Sequence, residues 1–195
     1  MIAAVAFGGR ADAAVVFLED FDGTSTWANN AAASLFVDPG SSDQGLFIQP
    51  GVTLGPDNVL YGSDLANEPG EPQLNPVTLN FDPVSVAGLN DVSVTFDYDL
   101  DGFDASDSIS YDVVVDGASA STGTFGGDDA GTLNYSVAPG AMSVALTLVL
   151  DQNGAADSFE LDNFAVNAAV AIPEPASVVM FAAGLIAVGL RRRRR

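Results

Sequence analysis

Residues 92–100 read Val92-Ser93-Val94-Thr95-Phe96-Asp97-Tyr98-Asp99-Leu100, an apolar–polar alternation of period two. Val92, Val94, Phe96, Tyr98 and Leu100 share one face; Ser93, Thr95, Asp97 and Asp99 share the other. Successive side chains of an extended chain point to opposite sides, so this stretch predicts a strand with one buried face and one wet face. Strands of that kind belong to antiparallel sheets covered on one side only.

The same period recurs outward along the chain. Val77, Leu79 and Phe81 alternate with polar residues, as do Ile109, Tyr111, Val113 and Val115. So do Leu133, Tyr135 and Val137, and then Met142, Val144, Leu146, Leu148 and Leu150. Turn chemistry falls between them: Asp101-Gly102, Asp116-Gly117, Gly126-Gly127-Asp128-Asp129, Pro139-Gly140 and Asn153-Gly154. The expectation is an all-β, antiparallel two-sheet sandwich of jelly-roll type, with no soluble helix. Residues 38–76, rich in Pro and Gly, read as long surface loops around short strands such as Leu46 to Ile48. In Phe159-Glu160-Leu161-Asp162-Asn163-Phe164-Ala165-Val166 the apolar phase slips by one residue, and a bulge at Asp162-Asn163 would return all four apolar residues to the core.

Composition narrows the chemistry. The chain has 195 residues, 26 acidic against six basic, a net charge of −20. Five of the six basic residues are the last five, the sixth is Arg10, and between Ala14 and Ile172 there is no Lys, Arg, His or Cys. The 24 carboxylates of that span (all but Asp12 and Glu174) repel phosphate backbones, which argues against nucleic-acid binding. Imidazole, thiolate and amine catalysis are excluded from this span, as are His/Cys zinc sites. Carboxylate chemistry of the glycosidase kind and oxygen-only metal sites remain, but no carboxylate pair stands out and no catalytic residue is assigned. The protein is expected not to be an enzyme.

The two ends read as targeting segments. Residues 1–13 are mostly small and apolar, and Ala11-Asp12-Ala13 fits a signal-peptidase site. With a basic n-region and full apolar core missing, they read as a truncated signal peptide, the alternative being an Ala-rich terminus that is no signal. At the other end Ala176 to Leu190 is apolar apart from Ser177. As a helix it would span about 22 Å, short of the ~30 Å hydrocarbon core yet feasible with snorkelling arginines and local thinning. Arg191, Arg192, Arg193, Arg194 and Arg195 would hold the C-terminus in the cytoplasm and place everything before Pro173 outside. The expected order is a signal at 1–13, the sandwich at 14–168, a linker at 169–175, a short transmembrane helix at 176–190 and the arginine cluster at 191–195.

Pro173-Glu174-Pro175, the apolar segment and the terminal arginines together resemble the PEP-CTERM sorting signal of Gram-negative bacteria. The resemblance covers about residues 172–195 and concerns sorting alone. It implies processing near Pro173-Glu174-Pro175 by an exosortase-type membrane enzyme after export. It also implies a partner in exopolysaccharide, biofilm or floc, and a destination at the cell surface or outside it. The prolines would keep the cleavage segment extended before the helix begins. The role expected at that destination is structural or adhesive, with a carbohydrate-binding module recognising the exopolysaccharide as the alternative.

Three candidate sites remain. Asp97, Asp99 and Asp101, followed by Gly102, match the first half of a calcium loop, although Asp104 and Ser108 break the second half. Residues 159–166 and the early Phe17-Leu18-Glu19-Asp20-Phe21-Asp22-Gly23 are similar to the closing and opening strands of bacterial jelly-roll domains related to carbohydrate-binding modules. By that analogy a structural Ca²⁺ would sit among Glu19, Asp20, Asp22, Glu160 and Asp162, the alternative being solvated carboxylates on an edge. Trp27, the single tryptophan, is either a ligand platform or a core residue.

The sorting expectation is checked by mass spectrometry of the protein from cells with and without the processing enzyme. Loss of the terminal arginines only when the enzyme is present is the expected result.

Overall fold

A computed structural model of the chain describes residues 12–22, 27–29, 36–37, 45–65, 75–152 and 156–170. Every strand pairing in it is antiparallel. The strands are β1 (Asp12–Glu19), β2 (Trp27–Asn29), β3 (Phe36–Val37), β4 (Gly45–Pro50), β5 (Asn58–Ser63), β6 (Val77–Phe81) and β7 (Val84–Ser85). They continue with β8 (Asn90–Asp101), β9 (Ser108–Val115), β10 (Ala118–Phe125), β11 (Asp129–Ser136), β12 (Ser143–Asp151) and β13 (Ser158–Val170). Two sheets result. A seven-stranded sheet runs β11-β8-β13-β5-β4-β3 with β1 added to β13, and a six-stranded sheet runs β10-β9-β12-β6-β2 with β7 added to β12.

The expected strand faces hold. Val94, Phe96 and Leu100 of β8 are buried, as are Val77, Leu79 and Phe81 of β6 and Val144, Leu146, Leu148 and Leu150 of β12. Met142 departs from the expectation and is 61% exposed. It precedes β12, where its N–H donates to the Asp116 carboxylate at 2.8 Å, so the strand's alternation does not govern it. β10 (ASASTGTF) escaped the apolar pattern because its residues are small, yet it pairs along its length with β9. β5, inside the stretch read as loop, pairs with both β4 and β13.

β13 is the longest strand and pairs with β8, β5 and β1. Its register against β8 shifts between Asp162 and Ala165, and Asn163 takes a left-handed φ of 53°. That is the expected bulge, and Phe159, Leu161, Phe164 and Val166 all reach the core. The Phe164 ring meets Phe81 edge-on at 4.6 Å and Phe17 at 5.5 Å, tying the two sheets and β1 together. At the other end of the sandwich Phe125 lies between Tyr98 at 4.1 Å and Tyr111 at 5.3 Å.

Two expected boundaries move. β1 starts at Asp12, inside the tripeptide read as a cleavage site, and Asp12 and Ala13 pair with Val170 and Ala169. β13 runs through Val170, into the segment read as linker. Residues 1–11 and the sorting segment, with Pro173, Glu174, Pro175, the expected helix and the five arginines, lie outside the described residues. Among the described residues no helix is long and apolar enough to cross a membrane.

Gly62 of β5 faces Phe159 across the ladder, and a Cβ there would run into the Phe159 ring. That ring is 1% exposed, packed in the core. Gly62→Ala is therefore expected to cost about 1–3 kcal/mol through overpacking, read as a lowered midpoint in thermal or urea unfolding.

Candidate glycan-binding face

The outer face of the seven-stranded sheet carries the strongest site. Register places Phe47 of β4 opposite Tyr61 of β5, Tyr61 opposite Glu160 of β13, and Glu160 opposite Asp99 of β8. These residues form one row across four strands, and their neighbours Leu46, Leu60, Leu161 and Leu100 fill the core beneath. Phe47 and Tyr61 are partly exposed, with ring centroids 5.1 Å apart. An aromatic pair on the wet side of a sheet offers an apolar plate to a ligand.

Beside the row lies a cleft of about 380 Å³, lined by Val52, Thr53, Asp99, Asp101, Ser158 and Glu160 among others. One wall is the loop joining β4 to β5. It covers the outer face of the sheet, so Val59 is fully buried although it alternates with core residues. The Asp99 carboxyl is pushed up from its ordinary value, first by partial burial and then by the charges of Glu160 and Asp101. A second cleft of about 300 Å³, on the six-stranded sheet, is lined by Ser110, Asp112, Thr122, Thr124 and Thr147.

The calcium-loop residues do not converge. Asp97, Asp99 and Asp101 lie along the extended β8, where alternate residues stand about 7 Å apart. Asp97 accepts hydrogen bonds from Thr132 Oγ1 and Asn163 Nδ2, and the Gly102 N–H donates to Asp128. In the following loop Asp104 accepts from Ser106, which lowers its pKa, and its own N–H donates to Asp107.

The first and last strands do pair, with Glu19 opposite Phe164. Their carboxylates, however, take separate partners. Glu19 accepts the Phe21 N–H, Asp20 the Asp22 N–H, Asp22 the Asn58 amide, and Asp162 the Asn163 N–H. Glu160 holds three backbone N–H groups of the loop after β4. Among the described residues no group of three or more Asp, Glu, His or Cys is arranged to hold a metal ion.

Trp27 stands on β2 opposite Phe81, and its side chain lies outside the described residues. Phe47 and Tyr61 escaped the sequence reading, although Leu46-Phe47-Ile48 and Leu60-Tyr61-Gly62 held the signal. Two adjacent large apolar residues cannot both face a one-sided core.

Comparison with known proteins agrees on the tail. Residues 171–194 match the PEP-CTERM protein-sorting motif, which indicates an exported protein held in the membrane before processing. No curated protein sequence matches the chain. Among solved structures the sandwich is similar to the C-terminal family 22 carbohydrate binding module of Clostridium thermocellum Xyn10B, at 13% identity and a TM-score of 0.46, over 80% of this chain and 94% of that one. It is similar to the CBM22-1 xylan-binding domain of Paenibacillus barcinonensis Xyn10C, at 12% identity and TM-score 0.46, covering 84% and 100%. The K1 cleaved adhesin domain of Lys-gingipain from Porphyromonas gingivalis gives 9% identity and TM-score 0.47, covering 77% and 96%.

Buried carboxylates make stability depend on pH. Asp162 is 6% exposed, and burial pushes its pKa from 3.8 up to about 6, with Asp97, Asp20 and Asp57 adding to the rise against the Asn163 N–H. Because the folded pKa lies above the unfolded one, the folded state binds the extra proton. Stability from this group is then full below 3.8 and lost as pH rises through about 6. Asp99 and Asp157 are raised too and act in the same direction. Thermal unfolding is expected at a higher temperature at pH 5 than at pH 7. Asp162→Asn should raise the pH 7 midpoint and flatten that part of the profile.

Proposed function

We propose that this exported protein holds neutral polysaccharide at the cell surface or in the extracellular matrix through the outer face of its seven-stranded sheet. The observation that carries the reading is the Phe47–Tyr61 pair, 5.1 Å apart on the wet side of the sheet, in register with the carboxylate-lined cleft. Sugar rings present apolar C–H faces to aromatic plates and hydroxyl donors to carboxylate acceptors. Asp99 and Asp101 supply acceptors of that kind.

Charge restricts the ligand. With no Lys, Arg or His between Ala14 and Ile172, the sandwich has no cation to pair with a uronate or sulfate. Neutral polymers fit this face, and anionic ones meet its repulsion. Retention at the membrane by the C-terminal segment, followed by exosortase-type cleavage near Pro173-Glu174-Pro175, would release the module to that polymer. Its part in the exopolysaccharide is then adhesive.

The test is polysaccharide pull-down and calorimetry with neutral and uronate polymers. Binding to a neutral polymer is expected, weakened roughly tenfold by Phe47→Ala or Tyr61→Ala, the effect of losing about 1–1.5 kcal/mol of ring contact. Binding to uronate polymers alone, or binding indifferent to both substitutions, would overturn the reading.

A further inference from the structure

The wall of the cleft is built by one side chain more than a hundred residues away in sequence. After β4 the loop closes on itself, with the Gly51 N–H donating to the Asp57 carbonyl at 2.9 Å. The next three amides all point at Glu160. Val52 N–H donates to Oε1 at 2.7 Å, while Thr53 and Leu54 donate to Oε2 at 3.0 and 2.9 Å. A carboxylate taking three consecutive backbone donors is a charge-assisted anion nest, with the anion supplied by the protein itself.

The loop's own sequence is shaped to this contact. A Cβ on Gly51 would lie 2.6 Å from the Gly55 carbonyl and 2.9 Å from the Val59 side chain, so only glycine brings the backbone this close. Gly55 takes a φ of +140°, a region that other residues rarely enter. Glu160 is 5% exposed beneath the loop, and the three N–H groups stand where a cation would otherwise have to offset its buried charge.

We propose that Glu160 is the positioning residue of the glycan-binding cleft. It fixes the Val52–Thr53 wall through the backbone, and the ligand contacts fall to Asp99, Asp101 and the aromatic pair. The proposal rests on the reading of this face as a polysaccharide site. Its structural half, that Glu160 holds the loop, has a readout of its own.

The experiment combines amide hydrogen exchange with binding to the neutral polymer, using the full chain. In Glu160→Gln one oxygen becomes an amide nitrogen facing backbone donors. Exchange at residues 52–54 is expected to accelerate roughly tenfold or more, and affinity to fall by a similar factor. Tyr61→Ala should lower affinity and leave exchange at 52–54 unchanged. A second measurement needs no substitution: in the wild-type chain the amides of Val52, Thr53 and Leu54 should be protected from exchange although Val52 and Thr53 lie on the surface.

Unchanged exchange in Glu160→Gln, or wild-type amides at 52–54 that exchange as freely as an open loop, would overturn the hold on the loop. Accelerated exchange with undiminished affinity would overturn the positioning role while polysaccharide binding stands. A wild-type chain that binds no neutral polymer would remove the ligand reading and the positioning role with it, and exchange at 52–54 would then decide the hold on the loop alone.

Discussion

The bulge at Asn163 is the constraint on which the rest of the structure depends. β13 is the seam of the larger sheet, hydrogen-bonded to β8 on one side and to β5 and β1 on the other. In an unbroken strand Phe159 and Leu161 would face the core while Phe164 and Val166 faced water. The extra residue, held at a left-handed φ by Asn163, restores the phase. Asparagine suits that conformation better than most residues, because its short amide bonds locally. Here it reaches both Asp97 and Asp162.

The same bulge sets the chemistry of the outer face. N-terminal to it, Glu160 and Asp162 point away from the core, one beneath the loop after β4 and the other opposite Asp97. Among its described residues this sheet has many carboxylates and no cationic side chain, and it satisfies them from neutral donors. It does so with backbone N–H groups, with the Asn58 and Asn163 amides and with the Thr132 hydroxyl. Where the donors are too few for the burial, as at Asp162, the carboxyl moves toward its neutral form. The folded state thus carries local electrostatic cost on the outer face of the sheet.

Much of the fold is readable because burial writes itself into strand alternation. Val77 to Phe81, Val92 to Leu100 and Val144 to Leu150 follow from period two alone, and the slip at Asp162-Asn163 discloses the bulge. β10 leaves no such trace, because Ala, Ser, Thr and Gly at a sheet edge bury too little to make a pattern. β5 is hidden because Gly62 breaks its run for the sake of the Phe159 ring, a partner nearly a hundred residues distant. The acidic motifs are ambiguous for a related reason. Spacing along a chain resembles a calcium loop equally well in a turn and in a strand, and the extended backbone of β8 agrees with the alternation in spacing Asp97, Asp99 and Asp101 along one strand.

By itself, the sequence determined that the body is a one-sided antiparallel β protein, poor in cations and followed by a sorting signal at 171–194. Each of those properties is local: alternation, composition and a contiguous motif. The tertiary structure alone decided that Phe47 and Tyr61 share a row with Glu160 and Asp99, and that one carboxylate gathers the amides of a loop more than a hundred residues away. Strand order and cross-strand register join residues through space, and a linear pattern of burial records which face a side chain takes but never which neighbour it meets.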